Sequence, residues 1–169
     1  LRQITNDGVR FNSHIDGQEF YLTPELSMEI QSVIGSDIRM CFDYFPGYPA
    51  ERAQVEHSVQ LTTAWAKRCL AHNIPNPAKL FAIVQGGIFP DLRAQSAAEL
   101  TALGFDGYAV GGLAVGEPPE IMYSVLEATV PLLPADKPHY LMGVGQPEQI
   151  VSAVQRGIDM FDCVLPTRN

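Results

Sequence analysis

The alternation of apolar and polar side chains begins with a period of two residues and then changes to a helical one. Residues 8–22 alternate around Asp16-Gly17, which is typical of a β-hairpin with a tight turn. Thr23-Pro24-Glu25 then predicts the first turn of a helix, and Gly35 predicts its end. The apolar face of this helix is predicted to comprise Leu26, Ile30, Val33 and Ile34.

From residue 37 onward, short apolar runs alternate with longer segments of helical period. The strands are predicted at residues 37–43, 80–84, 107–110, 139–142 and 158–161. The helices are predicted at residues 50–72, 90–103, 118–130 and 147–155, with a loop at 73–77. On the first of these four helices, one buried stripe is predicted to comprise Val55, Val59, Thr62, Ala66 and Cys69. Strands that alternate with helices predict parallel strands joined by right-handed crossovers.

Both a doubly wound sheet and a β/α barrel satisfy this order of elements. The glycine-rich dinucleotide motif does not follow the first parallel strand, which weakens the first possibility. Five strand–helix units amount to about five-eighths of a (β/α)8 barrel. The sequence therefore predicts an α/β fold in one domain over residues 1–169, a partial barrel built from residues 37–169 and preceded by the hairpin.

Composition narrows the class of protein. A length of 169 residues, 46% hydrophobic, suits one soluble domain with a sizeable core. The formal net charge of -8 argues against a general nucleic-acid-binding surface but allows a local basic patch. No apolar run is long enough to span a membrane, and no signal peptide is recognised, so we expect a cytoplasmic protein without a membrane partner.

Cysteines, histidines and termini add three expectations. The three cysteines have no disulfide or zinc spacing, so we expect buried thiols in a reducing compartment. The four histidines also lack metal-ligand spacing and are interpreted as structural. The chain starts at Leu1 and stops at Asn169, just after a loop with functional character, so we expect a piece of a longer protein.

Chemically versatile residues follow the predicted strands. In a barrel the carboxyl ends of the strands converge on one mouth, where active sites lie. The residues concerned are Asp43, Gln85, Gly111-Gly112, Met142 and Asp162. We expect Pro166 to prevent a helix directly after Asp162.

These residue types suit a planar heterocycle attached to a sugar. Asp43 and Gln85 can hydrogen-bond the ring edge, and glycines let the backbone approach the ring closely. Met142 can lie on the ring face, and Asp162 can attack an anomeric carbon. Simpler interpretations remain open, since the glycines can be tight turns, Met142 a core residue, Gln85 a helix cap and Asp162 a turn cap.

Six stretches of the chain resemble one known family. They are residues 8–17 (GVRFNSHIDG), 35–38 (GSDI), 84–87 (VQGG), 104–117 (GFDGYAVGGLAVGE), 140–145 (YLMGVG) and 157–168 (GIDMFDCVLPTR). They run in the order found in the tRNA-guanine transglycosylases, also called queuine tRNA-ribosyltransferases. The resemblance implies exchange of the wobble guanine of certain tRNAs for a 7-deazaguanine base in queuosine biosynthesis.

The resemblance also implies roles for individual residues. Asp162 matches the nucleophile that holds the RNA as a glycosyl ester, and Asp43 and Gln85 match the groups that read the base edge. Arg168 resembles a residue that meets the RNA backbone. The backbone of Gly112, Leu113 and Ala114 is implied to line the base pocket, with Met142 stacked on the base. Among these substrate-binding residues, Tyr140 resembles a neighbour that packs beside the nucleophile. Val115 resembles the bacterial residue that narrows the pocket toward the base preQ1 and away from queuine.

The chain departs from the family pattern at three places. Tyr44-Phe45 stands where bacterial relatives usually carry Glu-Cys. The second catalytic aspartate of the family, in an Asp-Ser-Gly-Gly motif, is expected upstream of Leu1. The zinc site of three cysteines and a histidine is expected after Asn169, so zinc belongs to the full-length protein, which is expected to be a homodimer. We expect the 169 residues alone to be inactive and poorly soluble.

Two alternatives stay open at this stage. One is another glycosyl-transfer barrel enzyme that uses Asp43 and Asp162 as its carboxylate pair, with the two carboxyls about 5–10 Å apart. The other is a non-catalytic subunit of the same family that positions RNA. Retention of Asp162 argues against this second alternative.

Overall fold

The computed structural model describes residues 2–72 and 77–168. The predicted loop at 73–77 therefore lies outside the described residues, apart from Pro77. The chain opens with a small antiparallel sheet in the order β1-β2-β3. Its strands are β1 (Gln3–Ile4), β2 (Val9–Asn12) and β3 (Glu19–Leu22). The hairpin prediction is confirmed, since Val9 pairs with Leu22 and Asn12 with Glu19 around a turn containing Gly17 at φ 75°.

Five parallel strands follow and form half of a barrel. They are β4 (Ile38–Met40), β5 (Lys79–Val84), β6 (Gly107–Val110), β7 (His139–Leu141) and β8 (Met160–Phe161). The helices are α1 (Pro24–Ile34), α2 (Arg52–Ala71), α3 (Pro90–Thr101), α4 (Pro119–Thr129), α5 (Pro147–Val154) and α6 (Leu165–Arg168), with a 3₁₀ turn at Val130–Leu132. The strand order in the sheet is the order in the sequence, β4-β5-β6-β7-β8. A doubly wound sheet would reverse direction, so the partial-barrel prediction is confirmed.

The core lies between this sheet and the helices that cover it. β5 and β6 are almost wholly buried, as expected for parallel strands with both faces covered. The stripe predicted on α2 is also confirmed, because all five of its residues are buried. Among residues 2–72 and 77–168, none of the helices is both long and apolar enough to cross a membrane.

The predicted apolar face of α1 is wrong. Val33 and Ile34 are 89% and 72% exposed, and Leu26 and Ile30 are also exposed. α1 instead buries Met28 and turns Gln31 toward the sheet. The Gln31 amide donates to the Met40 carbonyl at 3.0 Å and accepts from the Met40 N–H at 2.8 Å. Pairing with the backbone of β4, rather than hydrophobicity, therefore sets the rotation of this helix.

Two further expectations fail near the end of the chain. Leu165–Arg168 forms one helical turn although it contains Pro166. Proline is tolerated there because the N–H groups of a first turn have no intrahelical acceptor. Cys41 and Cys69 are buried as expected, but Cys163 is only half-buried. Cys163 lies against Gly145 in the loop after β7, where its environment is more open than the core.

We predict that Gly107→Ala destabilises the protein by about 2 kcal/mol, because added core volume has no space here. A Cβ atom on Gly107 would lie 2.4 Å from the ring of Phe81, its register partner on β5. Chemical denaturation of the full-length protein measures the effect. In a Phe81→Leu background the same substitution should cost much less, and an equal cost in both backgrounds would contradict the contact.

Candidate active site at the carboxyl ends of the strands

Asp43 and Gln85 meet at the ends of β4 and β5. The Gln85 amide Nε2 donates to Asp43 Oδ2 at 2.7 Å, and Gln85 itself is almost fully buried. The backbone on both sides of this pair is fixed. Tyr44 exchanges two hydrogen bonds with the hydroxyl of buried Thr62, and the Gln85 N–H donates to Ser96 Oγ at 3.1 Å. The pair is therefore held in place by α2 and α3.

The Asp43 carboxylate lies in an environment that disfavours its charge. Burial raises the pKa of Asp43 to about 6, although the hydrogen bond from Gln85 acts in the opposite direction. The carboxylate also lines a cavity of about 190 Å³ together with apolar residues of the antiparallel sheet. Asp43 is thus poised to change charge slightly below neutral pH, as ligand-binding carboxylates often are.

The glycines after β6 allow the Gln85 side chain to pack against the backbone. A Cβ atom on Gly111 would lie 2.5 Å from Gln85 Nε2, and one on Gly112 would lie 2.6 Å from Gln85 Oε1. Gly112 also has a φ of 65°, which favours glycine. These glycines are therefore more than a tight turn, because side chains at either position would displace the amide from Asp43.

Glu117 organises the loop after β6, a role that the pattern of the sequence does not indicate. Its carboxylate accepts from the Ala114 N–H at 2.5 Å and from the Val115 N–H at 3.0 Å. Ala114 has a φ of 56°, rare for a residue with a side chain. Leu113 is buried, whereas Ala114 is exposed. The available signal was a carboxylate five residues after the Gly111-Gly112 pair that follows β6.

Asp162 directly follows β8 and is held by two donors. The Tyr140 hydroxyl donates to Asp162 Oδ1 at 2.6 Å, and the Gly143 N–H donates to the same oxygen at 3.0 Å. Burial, and then the bond to Asp162, raise the pKa of Tyr140, so the phenol stays protonated. Asp162 itself is exposed, so one carboxylate oxygen is oriented while the group remains open to a ligand.

The predicted site residues therefore fall into two groups, with the loop after β6 between them. Asp43 and Gln85 form one group, and Asp162 and Tyr140 form the other. This loop lies close to both groups, because Gly112 packs against Gln85 and a Cβ atom on Gly143 would lie 3.9 Å from the Ala114 Cβ. Met142 is half-buried in the turn after β7, and Arg168 is exposed on α6. Asp43 and Gly112 line different cavities.

The described part of the chain offers no metal centre. Within residues 2–72 and 77–168, no cluster of three or more His, Cys, Asp or Glu side chains is placed to hold an ion. The ring nitrogens of His139 face the backbone carbonyls of Gly157 and Pro134 at 2.9 and 3.1 Å. The zinc that the resemblance implies finds no ligand set among these residues.

A half-barrel with an oriented carboxylate at its mouth defines a β/α-barrel protein with its candidate active site at the usual end of the strands. The family model described as Queuine tRNA-ribosyltransferase matches residues 1–169. The chain belongs to the queuine tRNA-ribosyltransferase family. This membership displaces the alternative of an unrelated glycosyl-transfer barrel.

Individual relatives agree with the family match. The chain is 58% identical over 169 residues to a queuine tRNA-ribosyltransferase of Anoxybacillus flavithermus, covering 99% of this chain and 45% of the relative. It is 58% identical to that of Natranaerobius thermophilus, covering 46% of the relative, and 56% identical to that of Bacillus subtilis, covering 44%. The chain thus spans less than half the length of these curated relatives.

Proposed function

We propose that this chain supplies the base-reading groups and the nucleophile of a longer enzyme. That enzyme replaces the wobble guanine of tRNA with the 7-deazaguanine base preQ1, on the route to queuosine. The carboxylate of Asp162, oriented by Tyr140 and Gly143 at the mouth of the half-barrel, is the observation that carries the proposal. Identities of 55–58% to bacterial queuine tRNA-ribosyltransferases support it.

Asp162 acts as the nucleophile in this scheme. Its Oδ1 is engaged by two donors, so Oδ2 forms the bond to the ribose anomeric carbon as the bond from that carbon to guanine N9 breaks. The electron pair of the broken bond leaves with guanine, which takes a proton from a general acid. The resemblance places that acid, a second aspartate, upstream of Leu1. The incoming base attacks the same carbon through its ring nitrogen, gives the proton of that nitrogen to the second aspartate, which is now ionised, and displaces Asp162 as a carboxylate.

Asp43 and Gln85 read the guanine edge. Guanine carries donors at N1 and N2 beside an acceptor at O6, and an ionised carboxylate accepts from such donors. The Gln85 amide fixes the Asp43 carboxylate through its 2.7 Å hydrogen bond. Backbone groups of Gly112, Leu113 and Ala114 line the slot, and Met142 lies on the ring face.

Glu117 keeps the Leu113–Val115 backbone in the shape that the base slot needs. It binds two successive N–H groups at a strained turn. The target guanosine is unpaired in the anticodon loop or is extruded, since a stacked base is unreachable. Arg168 meets the RNA phosphates, and the rest of the protein supplies the zinc site and the homodimer contacts. The 169 residues alone are expected to exchange no base.

Base exchange by the full-length protein tests the proposal. Labelled guanine should enter tRNA that carries a guanosine at the wobble position, and a tRNA with adenosine there should take up none. Added preQ1 should compete at concentrations at least about tenfold lower than queuine, a difference of about 1.4 kcal/mol in binding. If labelled guanine does not enter the tRNA that carries the wobble guanosine, the proposal is contradicted.

Val115 provides the matched control for base preference. Replacement with glycine removes the side chain that narrows the slot. The Val115→Gly variant should therefore bind queuine almost as tightly as preQ1, and it should still exchange guanine. Equal competition by the two bases in the unaltered enzyme would refute the assignment of preQ1.

A further inference from the structure

Arg93 is a fully buried charge that the proposed chemistry leaves unused. It lies on the first turns of α3 and has no exposed surface. Its Nη1 donates to the Val84 carbonyl at 2.8 Å, and its Nε donates to the Gly87 carbonyl at 2.9 Å. These two carbonyls stand on either side of Gln85-Gly86, so the guanidinium spans the loop that carries Gln85.

A second contact from α3 reaches the same loop. Ser96, also fully buried, accepts the Gln85 N–H through its hydroxyl at 3.1 Å. Gly86 has no room for a side chain, because a Cβ atom there would lie 2.6 Å from the Arg93 backbone nitrogen. The backbone of Gln85 is thereby held on both sides by the start of α3.

Burying a guanidinium is costly when it is not matched by a hydrogen-bonded carboxylate. Burial lowers the pKa of Arg93 to about 9, and the charge of Glu117 opposes this shift. An apolar side chain such as methionine would fill comparable space without that cost. Two charge-assisted hydrogen bonds to the Gln85 loop offset part of the cost of burying the charge, and no apolar side chain can form them.

We infer that Arg93 is a positioning residue for base recognition, holding Gln85 at the distance and angle at which its amide engages Asp43. This inference rests on the proposed function. Because the guanidinium binds two carbonyls in a fixed fork, lysine is not equivalent, since it is a compact point charge on a flexible stem. Substitution of a residue that only stabilises the fold would change the stability of the protein but not its recognition of the base.

A double-mutant cycle in the full-length protein separates the two roles. Arg93→Lys is combined with Gln85→Ala, and the guanine KM, kcat and thermal midpoint are measured for each variant. Arg93→Lys alone should raise the guanine KM about tenfold and lower kcat less than about threefold. In the Gln85→Ala background it should change the guanine KM less than about twofold, because its only route to the base has been removed.

Arg156→Lys is the matched control. Arg156 is a partly buried arginine in the turn after α5, and it pairs with Glu127 of α4 rather than with the Gln85 loop. It should leave the guanine KM unchanged even if the midpoint falls. Ser96→Ala should raise the guanine KM in the same direction as Arg93→Lys, which provides a second variant should the lysine variant fold poorly.

Three results overturn the inference. The first is an unchanged guanine KM in both Arg93→Lys and Ser96→Ala. The second is an Arg93→Lys effect of equal size with and without the Gln85 side chain, which assigns Arg93 to the fold alone. The third, a wild-type protein that neither binds nor exchanges guanine, removes the proposed function as well. If the wild-type protein exchanges guanine but the effects of Arg93→Lys and Gln85→Ala on the guanine KM are additive, only the positioning role of Arg93 is refuted.

Discussion

Asp162→Asn is expected to abolish the covalent RNA adduct of the full-length protein and to lower base exchange by at least about 1000-fold. An amide oxygen is far too weak a nucleophile to form the glycosyl ester. The asparagine Oδ1 can still accept from Tyr140 and Gly143, which occupy the same oxygen in the aspartate. The fold and the binding of the free base should therefore be unaffected.

Denaturing electrophoresis of the protein incubated with wobble-guanosine tRNA measures the adduct. Asp106→Asn is a suitable control, because Asp106 is a carboxylate at the opposite ends of the strands. It accepts the Leu80 N–H at 3.0 Å and Lys79 at 3.1 Å. The control should retain the adduct. An adduct that persists in Asp162→Asn would show that another group attacks the ribose.

Asp43→Asn is expected to weaken guanine binding by about 100-fold or more while making the protein more stable at neutral pH. The asparagine amide can still accept the Gln85 hydrogen bond, but it lacks the charge that receives the guanine donors. The folded protein no longer buries an ionised carboxylate. The rise of the Asp43 pKa from 3.8 to about 6 corresponds to at most about 3 kcal/mol.

The upward shift of the Asp43 pKa determines how the stability of the folded protein depends on pH. The folded protein holds the Asp43 proton more tightly than the unfolded chain, so the destabilisation is absent below about pH 4 and complete above about pH 6. The stability gain of Asp43→Asn should follow the same course, as thermal midpoints at pH 4 and pH 7 would show. Guanine binding by the unaltered protein should strengthen as pH rises through about 6. A gain that is equal at both pH values would contradict a buried charge at Asp43.

Much of the architecture was predictable because buried parallel strands leave continuous apolar runs. The predicted β6 matches the observed Gly107–Val110, and β5 differs by one residue. The strand ends then indicated Asp43, Gln85 and Asp162. The pairing of Gln85 with Asp43 and of Tyr140 with Asp162 follows from tertiary packing, which the pattern of residues along the chain does not indicate.

The misses share a physical origin in interactions that override local pattern. The apolar face of α1 was wrongly predicted because one half-buried amide, Gln31, hydrogen-bonds the backbone of β4, which an aliphatic stripe cannot do. Glu117 escaped notice because its role depends on a left-handed Ala114 that no periodicity signals. The two-residue β1 is too short to produce alternation. The remaining site assignments stay predictions for the variants above.

The match between strand order in the sheet and strand order in the chain has a consequence for biogenesis. After β4, each parallel strand leaves the ribosome when the strand that it pairs with has already been synthesised. The sheet can therefore form in the direction of translation. Under the proposed function, Asp43 and Gln85, which are assigned to the base, can meet before Asp162, the assigned nucleophile, has been synthesised. If the proposal holds, a nascent chain would complete its base-recognition pair seconds before its nucleophile is made.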